Sequence, residues 1–274
     1  ICFVNKMDRA GANFVRSFES IKHRLGANAV AIQLPLGLEA DHAGVIDLLT
    51  MKAFRFLGEE LGAKWDVLDI PAEFVDEAKA FRQTLVEKVA ETDDALMERF
   101  LEGDTNFSVE ELLGALRKAT LAFKIVPVLC GSAFKNKGVQ QLLDAVVNFL
   151  PSPLDVPDVV GEAPEDKTVK LTRKASYEEK FAALAFKIIR DPLVGTLPFF
   201  RVSPGRLESG TSVFNAPKGK RERVGRLLLM HANQREDIKE IQAGNICAIV
   251  GLKTATTGDT LCDADAPIVL ERME

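Results

Sequence analysis

Hydrophobic positions in the first half of the chain form short continuous runs and longer stretches with helical spacing. Residues 1–4 are an apolar run that predicts a buried strand, and residues 29–36 and 124–130 predict two more. Apolar residues recur at helical spacing over Phe14–Leu25, and another helix is predicted for 138–150. This alternation of strands and helices predicts an α/β fold for the first half.

The interval between the second and third predicted strands contains further helical patterns. Apolar residues recur at helical spacing from 74 to 89, and Pro71 suits the first turn of that helix. Ser108 and Glu111 have the spacing of a capping box, which predicts a helix that continues to Leu121. The interval exceeds the roughly 30 residues that a strand-helix-strand unit requires, so it predicts an inserted subdomain.

The pattern of hydrophobic and turn-forming residues changes in the second half of the sequence. Residues 151–167 contain four prolines, which favour extended backbone and predict a domain boundary. Short apolar and β-branched runs with glycine-centred turns between them follow, which predicts an all-β barrel or sandwich. These runs are 181–189, 197–202, 212–215, 223–230 and 246–252.

Composition narrows the class of protein. Of the 274 residues, 47% are hydrophobic and 27% are charged, which is ordinary for a globular protein. No apolar run approaches the roughly 20 residues that cross a bilayer, and no signal-peptide pattern is present. The four cysteines are scattered and the three histidines lack metal-ligand spacing. We therefore expect a cytoplasmic protein with reduced cysteines, no membrane contact and no metal ligands in this chain.

Charge is distributed unevenly. Between Glu59 and Glu111 there are 16 acidic and 5 basic residues, a local charge of −11 in a chain whose net charge is −5. The rest of the chain is therefore mildly basic, which indicates different partners for different parts. A solvated helical surface accounts for the acidic stretch equally well.

The first predicted strand runs into Asn5-Lys6-Met7-Asp8, which has the form N-K-x-D, a pattern suited to a guanine base. The Asp8 carboxylate can accept hydrogen bonds from guanine's ring N1–H and exocyclic amine together. The Asn5 amide can donate towards the base while it ties neighbouring loops together, and the Lys6 stem can lie along the purine face. The tetrapeptide also arises by chance, so a polar loop at a strand end is the alternative.

The context of this motif favours the guanine interpretation. Open α/β sheets bind ligands at the carboxyl ends of their strands, which is where the motif lies. The third predicted strand ends at Cys130 and runs into Gly131-Ser132-Ala133, which can aim the Ala133 backbone N–H at guanine O6. The residues predicted to form a two-loop base site are Asn5, Lys6, Asp8, Ser132 and Ala133.

Long segments on both sides of the proline-rich stretch carry a family resemblance. NKMDRAGANF, RLGANAVAIQLPLG and KIVPVLCGSAFKNKGVQQLLDAVVNFLPSPLDVP resemble bacterial elongation factor G, as do FKIIRDPLVGTLPFFRV, KGKRERVGRLLLMHANQRE and TTGDTLCDADAPIVLERME. The resemblance covers essentially the whole chain. It implies a translational GTPase that drives translocation of tRNA and mRNA on the ribosome.

The resemblance also implies a domain organisation. In that family a phosphate loop precedes N-K-x-D, and this sequence contains no G-x-x-x-x-G-K-[ST]. We therefore expect the C-terminal part of a P-loop GTPase domain (α/β), with an inserted α+β subdomain, followed by an all-β barrel domain. The expected divisions are 1–25 and 122–156 for the GTPase domain, 26–121 for the insert and 157–274 for the barrel.

The implied cofactor is GTP, of which this chain is expected to hold the guanine base alone. Mg²⁺ is expected in the full-length protein, with ligands outside this chain. The full-length protein is accordingly expected to be a GTPase, whereas no catalytic residue is predicted here and this chain alone is expected to be inactive.

The resemblance implies that the protein binds the ribosome and that it does so as a monomer. In the family the insert faces the ribosomal stalk protein, which suits an acidic surface that RNA phosphate repels. The barrel rests on small-subunit RNA, and Lys218, Lys220 and Arg221 are predicted to contact its phosphates. An exposed hairpin with solvated charges is the alternative for this basic run. Residues 190–195 are expected to form a tight loop between domains.

Two other functions stay open at this stage. A sister translational GTPase, such as a peptide-release or ribosome-recycling factor, would share these features. The chain alone could also act as a non-catalytic ribosome-binding module.

Overall fold

The described residues of the first half form two small sheets and five α-helices. A computed structural model describes residues 1–58, 64–191, 195–231 and 234–270, so residues 59–63 of the predicted acidic stretch lie outside the described residues. The chain divides into two compact units, Ile1–Leu150 and Pro151–Glu274. The strands of the first unit are β1 (Cys2–Val4), β2 (Ala29–Ala31), β3 (Gln33–Leu36), β4 (Gly44–Asp47), β5 (Lys52–Phe56), β6 (Trp65–Leu68) and β7 (Val126–Cys130). Its helices are α1 (Phe14–Leu25), α2 (Ala72–Ala90), α3 (Asp94–Leu101), α4 (Val109–Leu121) and α5 (Val139–Phe149).

The two sheets differ in strand direction. β1, β7 and β2 lie side by side in that order and pair in parallel. β3, β4, β5 and β6 form an antiparallel sheet in sequence order. The predicted α/β character of this half is therefore confirmed, whereas β4, β5 and β6 were not predicted.

The strand predicted at 29–36 is divided between the two sheets at Ile32. The Ile32 N–H donates to the Val128 carbonyl at 3.0 Å, and the Ile32 carbonyl accepts from the Leu48 N–H at 3.0 Å. One residue therefore bonds to the parallel sheet through its N–H and to the antiparallel sheet through its carbonyl. The prediction of a single strand was wrong because apolar composition does not specify which neighbour a strand pairs with.

The helix ends follow local sequence signals. The Asn13 side chain caps α1 by accepting from the Arg16 N–H at 2.8 Å, and Gly26 ends the helix with a left-handed φ of 60°. The predicted capping box is confirmed, since the Ser108 hydroxyl accepts from the Glu111 N–H at 3.1 Å and the Glu111 carboxylate accepts from the Ser108 N–H at 2.7 Å. These caps fix where α1 and α4 begin.

The second unit is built almost entirely from antiparallel strands. An eight-stranded sheet has the order β14-β13-β19-β10-β11-β18-β15-β16, and two-stranded sheets pair β12 with β17 and β8 with β9. This confirms the predicted change from an α/β half to an all-β half. The strands are β8 (Val159–Glu162), β9 (Lys170–Arg173), β10 (Ala182–Asp191), β11 (Gly195–Val202), β12 (Arg206–Glu208), β13 (Ser212–Asn215), β14 (Lys220–Arg223), β15 (Arg226–His231), β16 (Gln234–Ile238), β17 (Glu240–Gln242), β18 (Ile246–Val250) and β19 (Thr260–Cys262).

Two details of the second unit correct the sequence prediction. The run predicted at 223–230 is divided between β14 and β15. Residues 192–194 of the predicted interdomain loop lie outside the described residues, but Asp191 pairs with Gly195 across the antiparallel strands that flank them. The two ends of that predicted loop therefore lie on neighbouring strands of one sheet.

Candidate functional site

The loop after β1 and the loop after β7 lie at the same edge of the parallel sheet. Val4 pairs with Cys130, and the Gly131 N–H donates to the Val4 carbonyl at 3.1 Å. The Met7 N–H donates in turn to the Gly131 carbonyl at 3.1 Å. The two predicted loops are therefore brought together because parallel strands end at one edge of their sheet.

The Asn5 side chain holds the two loops together. Its Oδ1 accepts from the Ala133 N–H at 2.9 Å and from the Lys6 N–H at 2.8 Å. Lys6 adopts a left-handed φ of 65°, which is uncommon for a residue with a side chain. The Lys6 side chain is exposed and the Met7 side chain is buried, at 2% exposure. Asn5 thus has the tying role that the sequence predicted for it.

Ala133 makes a different contact from the one predicted. Its backbone N–H was expected to aim at guanine O6, but here it donates to Asn5. The Ala133 N–H, which was predicted to donate to the base, therefore holds the N-K-x-D loop in place through Asn5.

Asp8 is held as a carboxylate. A hydrogen bond from the Ser132 side chain lowers the pKa of Asp8, against the opposing effect of burial, and Arg9 lowers it further. Ser132 is only 1% exposed, so its side chain supports Asp8 from inside the protein. An ionised carboxylate accepts hydrogen bonds with both oxygens, which suits two adjacent N–H donors.

The loop after β7 is constrained by its glycines. A Cβ at Gly131 would lie 2.2 Å from the Lys137 carbonyl oxygen and 2.9 Å from the Phe3 ring, so only glycine fits. Ser132 and Lys137 exchange two backbone hydrogen bonds of 2.9 Å each. Gly138, with φ of 83°, then starts α5. This tight loop gives Ser132 and Ala133 fixed positions beside the N-K-x-D loop.

A third element of the site was not predicted from the sequence. The loop between β3 and β4 contacts both of the others, and we call this set of contacts the insert clamp. The Glu39 N–H donates to the Met7 carbonyl at 2.8 Å, and the Glu39 carboxylate accepts from the Gly11 N–H at 2.7 Å. The Lys137 Nζ donates to the His42 carbonyl at 2.5 Å. No local pattern signals these contacts, because they join residues that are distant in sequence.

His42 lies inside the insert clamp. Its side chain is 2% exposed, Nδ1 lies 3.1 Å from the Gly37 carbonyl, and Nε2 has no partner among the described residues. Burial lowers the pKa of His42, and the charge of Lys137 lowers it further. Both effects favour the neutral form of the ring.

The basic run in the second unit separates into two kinds of residue. Lys220 and Arg221 lie on β14 and are exposed. Lys218 precedes the strand, and its Nζ donates to the Thr254 carbonyl at 2.5 Å and to the Asp259 carboxylate at 2.7 Å. The charge of Lys218 is thus already paired, whereas Lys220 and Arg221 are exposed, and their contact with RNA stays a prediction.

Neither a metal cluster nor a membrane helix is found in the described part of the chain. There, no three His, Cys, Asp or Glu side chains group as metal ligands. Across the same residues, no helix is long and apolar enough to span a bilayer.

Comparison with known proteins identifies both halves of the chain. Residues 1–152 match the family model of the elongation factor Tu GTP-binding domain, and residues 195–262 match that of elongation factor Tu domain 2. The crystal structure of a protein from Thermus thermophilus superposes with a TM-score of 0.76 at 24% sequence identity, which supports the fold. That superposition covers 99% of this chain and 38% of the Thermus chain.

Fold, site and matches together define a GTP-binding domain followed by a strand-rich second domain. The chain belongs to the elongation factor Tu GTP-binding domain family, and so to the translational GTPases. Guanine-nucleotide binding follows at the level of that family.

Proposed function

We propose that this chain is the base-reading part of the GTPase domain, with the following β domain, of an elongation factor G type translocase. The observation that carries the proposal is the hydrogen bond between Asn5 and Ala133, which joins the N-K-x-D loop to the G-S-A loop. The full-length protein would use GTP to move tRNA and mRNA on the ribosome, acting as a cytoplasmic monomer.

The residues present fit a guanine base. Asp8, kept ionised by Ser132, would accept from the ring N1–H and the exocyclic amine, and the exposed Lys6 stem would cover one face of the purine. Asn5 and Ala133 would hold the loops at the spacing that the base requires. Phosphates and Mg²⁺ would be held by residues outside this chain, since its sequence lacks the phosphate-loop motif.

The sharpest test exchanges one hydrogen-bond acceptor for a donor. In the full-length protein, Asp8→Asn should shift preference from GTP towards XTP, because xanthine has a carbonyl where guanine has an amine. A mismatch between buried polar groups changes discrimination by on the order of 10⁴. Asp76→Asn, at an exposed carboxylate of α2, is the matched control and should leave selectivity unchanged. Full GTP selectivity in Asp8→Asn would remove Asp8 from the base site.

A functional comparison tests the proposed translocase against the sister factors, which would share the features of this chain. Between the base-reading loops the insert adds an antiparallel sheet and helices α2, α3 and α4. We expect the full-length protein to promote mRNA movement in a single-turnover translocation assay. Activity only in peptide release or ribosome recycling would instead identify a sister GTPase.

The β domain is proposed to contact small-subunit RNA through β14. Each phosphate contact on irregular RNA contributes roughly 0.7 to the slope of log affinity against log salt concentration. Replacing Lys220 and Arg221 by Ala should therefore flatten the slope of ribosome binding by about 1.4. Replacing Arg206, exposed on β12, serves as the control. An unchanged slope for the double variant would make the basic run a solvated hairpin.

The acidic insert is proposed to contact the ribosomal stalk protein. Glu87 lies on α2 and Glu91 directly follows it, whereas Glu98 lies on α3 beyond a break in the helix, and all three are exposed. Reversing their charges should reduce stalk-dependent GTPase stimulation of the full-length protein and leave RNA affinity unchanged. Equal stimulation on ribosomes with and without stalk protein would contradict this assignment.

A further inference from the structure

One residue of the insert contacts the N-K-x-D loop on both sides of Asp8. The Glu39 N–H donates to the Met7 carbonyl at 2.8 Å, and Glu39 Oε1 accepts from the Gly11 N–H at 2.7 Å. Glu39 is 28 residues from Gly11 in the sequence, so this bond joins two separate loops. The residue before Asp8 and the third residue after it are therefore both held by Glu39.

The backbone between these two contacts is folded into consecutive turns. The Arg9 N–H donates to the Lys6 carbonyl at 3.1 Å, and the Ala12 N–H donates to the Arg9 carbonyl at 3.0 Å. Asp8 lies inside the first of these turns. Because a hydrogen-bonded turn moves as a unit, a displacement at either Glu39 contact changes the direction of the Asp8 carboxylate.

The backbone conformation of Glu39 indicates that its side chain has a function. Its φ of 55° lies in the left-handed region, which glycine adopts readily and which is uncommon for a residue with a side chain. Residues in such conformations persist where surrounding contacts determine them, and they cluster at functional sites. The Glu39 side chain is exposed, so burial in a core does not account for it. Within the described part of the chain, its carboxylate bonds to the Gly11 N–H and forms no ion pair.

The segment that carries Glu39 is also fastened to the G-S-A loop. The His42 N–H donates to the Glu39 carbonyl at 3.2 Å, and the Lys137 Nζ donates to the His42 carbonyl at 2.5 Å. Lys137 in turn exchanges backbone hydrogen bonds with Ser132, whose side chain bonds to Asp8. Glu39 is thus connected to Asp8 through the loop that carries this carboxylate and through the loop that supports it.

We propose that Glu39 is a positioning residue for guanine recognition, and that it sets how strongly the site distinguishes guanine from hypoxanthine. This inference rests on the proposed function, in which Asp8 accepts two hydrogen bonds from the base. Hypoxanthine keeps the ring N1–H and O6 but lacks the exocyclic amine, so it offers Asp8 one bond instead of two. Discrimination between the two bases therefore depends on the orientation of the Asp8 carboxylate, which Glu39 maintains.

The test compares GDP with IDP in the full-length protein, because the two nucleotides share their ribose and phosphates and differ in the exocyclic amine. Glu39→Gly removes the carboxylate at a φ that glycine accepts, so the variant should keep its melting temperature. By calorimetry, GDP affinity should fall about tenfold and IDP affinity about twofold, because the bond to the amine weakens most. The ratio of GDP affinity to IDP affinity should therefore fall about fivefold.

Two further variants separate positioning from stability. Glu39→Gln keeps a side-chain oxygen that can accept from the Gly11 N–H, so it should retain the wild-type ratio of GDP affinity to IDP affinity. Phe123→Gly is the matched control, because Phe123 also has a left-handed φ, of 56°, and is 94% exposed. Phe123 precedes β7, whereas the base-reading loops follow β1 and β7, so this variant should leave the ratio unchanged.

The outcomes separate this inference from the proposed function. A shift of Asp8→Asn towards XTP, together with a wild-type ratio of GDP affinity to IDP affinity in Glu39→Gly, would overturn the role of Glu39 and leave the base site intact. Equal losses of that ratio in Glu39→Gln and Glu39→Gly would also contradict it, because the accepting oxygen would then have no effect. Full GTP selectivity in Asp8→Asn would remove the base site itself, and the role of Glu39 with it.

Discussion

Removing the charge of Lys218 should destabilise the β domain although the residue lies in an exposed turn. The Lys218 Nζ bonds to the Asp259 carboxylate at 2.7 Å, the Thr254 carbonyl at 2.5 Å and the Thr256 hydroxyl at 2.7 Å. The Asp259 side chain is 8% exposed and that of Lys218 is 31% exposed. Removing one partner of a fully buried pair costs about 3–5 kcal/mol, and the partial exposure of Lys218 reduces this to about 2 kcal/mol for Lys218→Met. The Met side chain keeps most of the apolar stem, so the change isolates the charge.

Lys220→Met on the same hairpin is the matched control. It is exposed, so its substitution should change the free energy of unfolding by less than about 0.5 kcal/mol. Urea-dependent hydrogen exchange, read by mass spectrometry on peptides from β13 to β15, reports the unfolding of this domain separately from the first unit. A double-mutant cycle with Asp259→Asn should give a coupling of about 1–2 kcal/mol. Equal stability of the two Met variants, or no coupling to Asp259, would refute the reasoning.

Three further outcomes are expected of the 274-residue chain. Calorimetry should show GTP affinity weaker than micromolar and no ribosome-stimulated turnover, because the phosphate-loop motif is missing; micromolar binding would contradict this. Gly131→Ala should lower the melting temperature, because the added Cβ would lie 2.2 Å from the Lys137 carbonyl oxygen. Gly114→Ala, in open space on α4, is the control and should raise the free energy of unfolding by about 0.5–1 kcal/mol. The same effect at both glycines would be inconsistent with the loop geometry. Burial opposes ionisation of Glu222 and Asp259, but hydrogen bonds outweigh it, so their pKa values in the folded chain lie below the ordinary 4.5 and 3.8. These carboxylates stabilise the fold above about pH 4.5 and lose that effect as the pH falls through the lowered pKa values. The urea concentration at the midpoint of unfolding should therefore fall between about pH 5 and pH 3. A midpoint that does not change with pH would argue against the hydrogen bonds to Glu222 and Asp259.

Local signals in the sequence predicted the helices better than the sheets. The capping box at Ser108 and the glycine after α1 act within a few residues, so their effect can be read directly from the sequence. The pairing of β3 to β6 depends on contacts across the insert, and the break at Ile32 depends on hydrogen bonds to Val128 and Leu48. Apolar periodicity contains no information about those partners.

The candidate site shows the same division. Asn5, Lys6 and Asp8 lie within one four-residue motif, so the loop proposed to read the base could be predicted from the sequence. Glu39 reaches that loop from the insert and has no motif of its own. Lys218 was grouped with its neighbours because the sequence gives no sign that Asp259, 41 residues away, pairs with its charge. The partners of charged side chains that are distant in the sequence could not be predicted from it.

Under the proposed function, the insert clamp makes the segment between β3 and β4 part of nucleotide recognition. Glu39 bonds to the loop that carries Asp8, and Lys137, from the loop that carries Ala133, bonds to His42, so both base-reading loops are fastened to the same short segment. Any partner that binds the insert more tightly when nucleotide is present must raise nucleotide affinity by the same factor, because such coupling is reciprocal. Under the proposed function, a partner that shifts this segment would therefore also change the affinity for the nucleotide.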